Sequence, residues 1–375
     1  MVHFTQLNKK QKILGIILVS SILLILASIL LLRFLPYPEL GVFLNERQYS
    51  TRIFDCNQNL IQILPLENGL RREYTEFSDI PKEVIEAFIK AEDQHFYSHI
   101  GIDIGAIFRA TFQNVSNKTT ISGASTITMQ LARIIRPSPN RNIFAKIKET
   151  INALRLELRL SKDEILELYL NNLPFGFNTE GVTSAAKTFF GKELISLTKE
   201  EILSLAVIPR RPQSYNPLTN PEKCAERASE VFEYPKEKIL SATKNAKQFI
   251  YPFLMPHYIQ FLIDNEEKNQ IGIYQKEDII LSASLDVQLL AEELLSKELE
   301  KYRDNRISNG AILVTDTQTG QILAWVGSEN FSNEGNKGQI DGVLAENQPG
   351  SSMKPFLYAL ALEKGYTPST ILPDI

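Results

Sequence analysis

The chain has 375 residues with a formal net charge of -4, from 40 Lys and Arg against 44 Asp and Glu. That length exceeds one small core and fits two or three folding units. The charges are spread along the chain without a long basic stretch, which sets nucleic-acid binding aside. The two cysteines, Cys56 and Cys224, lie too far apart in sequence for a zinc site or a redox dithiol, and read as structural, either free or joined.

From Ile13 to Leu32 the chain has no charged residue. That run is long enough to cross a bilayer as a helix, which takes about 20 residues. Lys9, Lys10 and Lys12 precede it and only Arg33 follows, so the positive-inside bias puts the N-terminus in the cytoplasm and everything after Pro36 outside. A cleavable leader has an apolar core of about 7 to 15 residues and a small-x-small cleavage site, so residues 1–36 read as a tail and an uncleaved anchor. Residues 37–79 read as a connecting segment with β-like alternation around Ser50 to Ile63.

Residues 80–235 turn helical. One helix starts near Pro81 and carries Val84, Ile85, Phe88 and Ile89 on an apolar face before ending near Glu92. Ser161 with Glu164, and Thr198 with Glu201, have the spacing of capping boxes. Residues 236–285 read as a linker, and 286–375 as the start of an α/β unit with strands at Ala311 to Val314 and Gln321 to Val326 around the turn at Thr319 and Gly320. The expected fold class is mainly α: a transmembrane helix, a helical domain, and an incomplete α/β domain.

Four places hold residues suited to chemistry. Around Glu92 and Asp93, acids, His95, His99 and aromatics coincide. A carboxylate beside another, shielded by rings, has a raised pKa and works as a general base near ambient pH; the plain alternative is two surface acids at a helix end. His95 and His99 are four apart, as in a helical zinc site, but Phe96 stands where a zinc hydrolase has its glutamate and no third ligand is evident. Gly123 to Gln130, with Ser125 and Thr126, opens a helix on which Gln130 and Arg133 share a face. Its hydroxyls and free N–H groups suit a phosphate or a sugar, and a capped helix with a surface arginine fits the pattern equally well.

On the next helix Ile143, Ile147, Ile151, Leu154 and Leu158 make one apolar stripe, leaving Lys146 and Glu149 on another face, a cation beside a carboxylate that in isolation reads as a surface ion pair. Ser351 and Lys354 make an SxxK pair, in which a neutral lysine takes the hydroxyl proton of an attacking serine; a bare SxxK also arises by chance.

Taken in order, these segments resemble the bifunctional class A penicillin-binding proteins, the 1C type in particular. Glu92 to Asp103 is similar to the first glycosyltransferase motif, Gly123 to Gln130 to the second, Lys146 to Glu149 to the third, Ile165 to Asn171 to the fourth and Gly181 to Lys192 to the fifth. Ala206 to Pro217 resembles the end of that domain; Gly310 to Gly327 and Gln348 to Pro355 resemble the start of the transpeptidase.

The resemblance implies a lysozyme-like domain at the outer face of the bacterial cytoplasmic membrane that polymerises lipid II into glycan strands by β-1,4 links with inversion. It makes Glu92 and Glu149 catalytic, with Glu92 the base for the acceptor hydroxyl, and Asp93, Ser125, Thr126, Gln130, Arg133 and Lys146 substrate-binding. It also implies a divalent cation, Mg or Mn, as an occasional aid to pyrophosphate departure, though no metal site is spelled out. Lipid II, the growing strand, the membrane and other wall-synthesis proteins are the implied partners.

Met129 stands where most relatives have a second glutamine, as the 1C type does, and Ala145 replaces an arginine, which weakens pyrophosphate binding unless Arg141 substitutes. Ile104 to Ile121 is expected to touch the bilayer. The chain stops at Ile375, before the SxN and KTG segments, so Ser351 and Lys354 are a transpeptidase remnant and no cross-linking is expected. The rival expectations are a glycan-cleaving lysozyme-like hydrolase and an inactive membrane scaffold.

Overall fold

The computed structural model describes residues 9–106, 125–138, 142–266, 272–305 and 307–371. Gly123, Ala124, Arg141 and most of the Ile104 to Ile121 stretch lie outside them. Two compact units divide the chain, one of residues 1–54, 60–252 and 272–280, the other of 55–59, 253–271 and 281–375.

The first unit opens with α1 (Lys9–Phe34). Among the described residues it supplies the one helix long and apolar enough to cross a membrane, and its side chains from Ile17 onward stand almost wholly exposed. Pro36 follows the helix, and Pro38, whose fixed φ suits a first turn, starts α2 (Pro38–Glu46). The alternation after Ser50 becomes β1 (Arg52–Phe54) and β2 (Leu60–Ile63), an antiparallel pair with one irregular step, extended by β5 (Ile279–Ile280) parallel to β1.

The helical body consists of α3 (Lys82–Glu92), α4 (Ile127–Ile135), α5 (Ile143–Glu157), α6 (Lys162–Asn172), α7 (Val182–Phe190), α8 (Lys199–Val207), α9 (Pro221–Phe232) and α10 (Lys236–Lys244). Both capping boxes form, at the starts of α6 and α8. Each satisfies two N–H groups that a bare helix start leaves open. The core joins Val84 and Phe88 of α3, Ile127 and Leu131 of α4, Leu166 and Tyr169 of α6, Phe189 of α7 and Leu205 of α8.

A short hairpin, β3 (Pro174–Gly176) with β4 (Thr179–Glu180), turns the chain from α6 to α7. Gly181 then sits at φ 81°, where a Cβ would lie 2.7 Å from the Asn171 carbonyl oxygen, so only glycine lets α7 begin so close to α6.

The apolar stripe of α5 faces away from the core. Ile143, Phe144, Ile147 and Ile151 of α5 are 69%, 70%, 49% and 42% exposed, while Asn152, Ala153, Arg155 and Leu156 are buried. The stripe is real, but the face turned to the core is another one. Periodicity separates two faces of a helix and does not say which one a neighbour covers.

In the second unit α11 (Pro256–Asp264) and α12 (Leu285–Tyr302) pack against the hairpin of β6 (Ile312–Thr315) and β7 (Ile322–Val326), the antiparallel pair expected from the sequence. The carboxylate of Asp316 accepts from the N–H groups of Gln318 and Thr319, and Gly320 takes φ 74°. Trp325 stacks on Tyr258 and Phe261, and Ala291, Leu295 and Leu299 pack on Ala324 and Val326. A 3-10 turn, Gly350–Met353, runs into α13 (Lys354–Glu363), which places Ser351 and Lys354 one turn apart and exposed. Mainly helical with a small sheet content, the chain has the fold class that its patterns indicate.

Candidate active site

Glu92 is the last residue of α3. The side-chain amide of Gln130, one turn into α4, donates to Glu92 Oε2 at 2.9 Å. Behind it the Tyr169 hydroxyl donates to Gln130 Oε1 at 3.2 Å. Burial pushes the Tyr169 phenol well above its ordinary value, so it stays a donor. A donor at Oε1 orients the Gln130 amide with its N–H groups toward Glu92. Burial also raises the Glu92 carboxyl above the usual range, opposed by Gln130 and by the positive charges of Arg210, Arg227 and Arg133. A carboxyl raised this way suits proton abstraction.

Asp93 faces elsewhere. It is buried, both its oxygens lie 3.0 Å from His99 Nε2, and its Oδ2 also accepts from the Ile127 N–H at 3.0 Å. The Gly101 N–H donates to His99 Nδ1 at 3.1 Å, so the imidazole proton sits on Nε2 and points to Asp93. Thr126 caps α4: its hydroxyl accepts from the Met129 N–H and donates to the Gly101 carbonyl. The N–H groups at the start of α4 are thus partly taken up inside the fold: Asp93 ties α4 to the end of α3, and Thr126 ties it to Gly101.

On α5 the Lys146 ammonium donates to Ser125 Oγ at 3.0 Å and to Glu149 at 3.3 Å. Lys146 and Glu149 line a cleft of ≈ 440 Å³ together with Arg133, Asn142 and Ala145. Arg133 ties the two parts together, since it lies one turn beyond Gln130, lines the cleft and acts electrostatically on Glu92. Ala145 lines the same wall, so the missing arginine would have stood in the cleft. A larger cavity of ≈ 670 Å³, flanked by Glu83, Glu86, Lys90 and Lys199, contains none of these residues. Its mixed charge recommends it less for a phosphate than the cleft beside Arg133 and Lys146.

The two histidines serve different carboxylates, His95 bonding to Asp103 at 3.0 Å and His99 to Asp93. Among the described residues no group of three or more His, Cys, Asp or Glu is arranged to hold a metal ion. Among the described residues the one acid lining the cleft, Glu149, is paired with Lys146, and that donor set does not fit a protein-held divalent cation.

The sequence reading missed Tyr169 as the residue behind Gln130, and Arg210 and Arg227 as charges felt by Glu92. Tyr169 sits in an apolar run and reads as core, which it also is. The signal for Arg210 was its place in the Ala206 to Pro217 block, but a lone arginine there does not reveal which carboxylate it faces.

Residues 57–235 match the family described as Transglycosylase, and residues 310–374 the penicillin binding protein transpeptidase domain. Penicillin-binding protein 1F of Bacillus subtilis is 32% identical over 345 residues, which is 87% of this chain and 47% of that protein. Penicillin-binding protein 1C of Escherichia coli is 32% identical over 311 residues, 82% of this chain and 40% of that one. A crystal structure of penicillin-binding protein 1A from Haemophilus influenzae aligns with TM-score 0.45 and 19% identity over 88% of this chain and 55% of its own. The chain spans about half the length of the curated relatives it matches.

Proposed function

We infer, for a chain that belongs to the penicillin-binding proteins joining a transglycosylase segment to a transpeptidase segment, that the helical unit is a peptidoglycan glycosyltransferase polymerising lipid II. The observation that carries this reading is the buried carboxyl of Glu92, held by Gln130 next to a cleft lined by Arg133 and Lys146.

Glu92 takes the proton of the acceptor sugar's 4-hydroxyl. The freed oxygen pair forms the β-1,4 bond at the donor's anomeric carbon, with inversion, while the bond to undecaprenyl pyrophosphate breaks. Negative charge grows on the departing pyrophosphate, and preorganised cations stabilise that charge most where it develops. Arg133 and Lys146 serve this end, with Glu149 and Ser125 fixing the lysine. Asp93 and Thr126 act as positioning residues that keep α4, and so Gln130, in register with α3. The anchor keeps the unit at the cytoplasmic membrane, N-terminus inside and catalytic unit outside, beside a lipid-linked substrate.

The test incubates the full chain, in vesicles, with lipid II and resolves the products by size. Polymer formed by the parent chain and lost in Glu92→Gln is the expected result. Cleavage of finished glycan in place of polymerisation would make it a hydrolase. A folded parent chain that does neither would leave a scaffold.

A further inference from the structure

The chain leaving the membrane span is fastened to the helices of the site. Past the end of α1 the carbonyls of Leu35 and Pro36 have no helical partner, and α5 supplies donors for both. Arg155 bonds to the Leu35 carbonyl at 3.2 Å and to that of Pro36, and Arg159 bonds to the Leu35 carbonyl at 2.7 Å. The Arg155 guanidinium also lies over the Tyr37 ring at 4.3 Å. A second brace joins Glu39 of α2 to Arg136, just past α4, at 2.9 Å.

Positive groups at the end of a helix match its macrodipole and satisfy its last carbonyls, which accounts for one arginine locally. It does not account for two arginines, one buried on α5 and one in the turn just past its end, reaching from more than 100 residues away in sequence. Those same helices hold the cleft. Glu149 precedes Arg155 by six residues on α5, about 9 Å along a helix that rises 1.5 Å per residue.

We propose that Arg155 and Arg159 are positioning residues, a clamp that fixes the exit of the membrane span to α5 and so sets the height of Lys146 and Glu149 over the bilayer. A lipid-linked pyrophosphate is confined to one depth, and a cleft at a wandering height meets it less often. The clamp rests on the glycosyltransferase reading for its purpose, but its mechanical part is measurable without activity.

Spin labels at Ile29→Cys and Phe144→Cys, in the full chain carrying Cys56→Ser and reconstituted in phospholipid vesicles, report the distance between the span and α5. One narrow distance is expected in the parent chain and a broad distribution in Arg155→Ala with Arg159→Ala. The KM for lipid II in vesicles is expected to rise about tenfold with kcat nearly unchanged, the loss shrinking in detergent micelles, where no plane sets a depth. Arg155→Lys, which keeps a charged donor but loses the planar guanidinium over Tyr37, is expected to recover part of the loss. Should the double variant fail to fold, Arg159→Ala alone decides, because that side chain is only half-buried. An unchanged distance and KM would overturn the clamp. A widened distance in a chain whose parent polymerises nothing would keep the clamp and remove the glycosyltransferase.

Discussion

The two halves of the candidate site are built differently. Around Glu92 everything is packed: Gln130 and Tyr169 are buried, their hydrogen bonds form one chain, and Asp93 locks the start of α4 from below. On the other side the Lys146 side chain is about half in solvent, and α5 turns its isoleucines outward. The contrast matches what the proposed reaction asks of each half. A general base needs desolvation to raise its pKa, whereas a grip on a large, mobile, charged leaving group needs reach and access.

The largest expected effect breaks the packed half. Glu92→Gln keeps an acceptor for Gln130 but no base, and polymerisation should fall by about 10²–10⁴-fold in a lipid II assay. The same variant sharpens the comparison through stability. Because burial raises the folded-state pKa of Glu92 above its unfolded value, ionising it costs stability as pH rises from the unfolded value through the folded one, and no such cost exists below both. Glu92→Gln should therefore melt higher than the parent at pH 7–8, with the gain vanishing toward pH 4. The acid limb of the parent's kcat/KM profile should likewise sit above the ordinary glutamate range.

Gln130→Ala comes next. It leaves the Tyr169 hydroxyl buried without an acceptor, so chemical denaturation should show a loss of about 1–3 kcal/mol together with reduced kcat. On the open half the effects are smaller. Ala145→Arg adds a cation to the cleft wall and should lower the KM for lipid II by about two- to fivefold, in line with the ~0.2–1 kcal/mol of an exposed charge pair. Ile147→Ser, on the outward ridge, should change unfolding free energy by less than about 0.5 kcal/mol. A loss of several kcal/mol there would mean that α5 buries the face that the structure leaves open.

Much of this was legible from residues alone. The apolar run of α1, the two capping boxes, the end of α3 at Glu92 and the hairpin after Gly310 depend on neighbours a few positions apart, and local chemistry sets them. The four clusters of reactive residues were visible as well, though taken alone they also read as surface acids, a capped helix, an ion pair and a chance SxxK. What the sequence could not give was direction. Whether Asp93 faces a cleft or the start of α4, whether the isoleucines of α5 face the core, and which guanidiniums Glu92 feels depend on segments tens to more than a hundred residues apart.

Periodicity and motif spacing thus determined that an apolar helix long enough to cross a bilayer, a helical body and an α/β segment exist, and which residue types cluster. Tertiary packing alone decided which carboxylate is desolvated, which is spent as a brace, and how the end of the span is tied to α5. Burial and hydrogen bonding are properties of a residue's surroundings, and those surroundings come together only when distant helices pack.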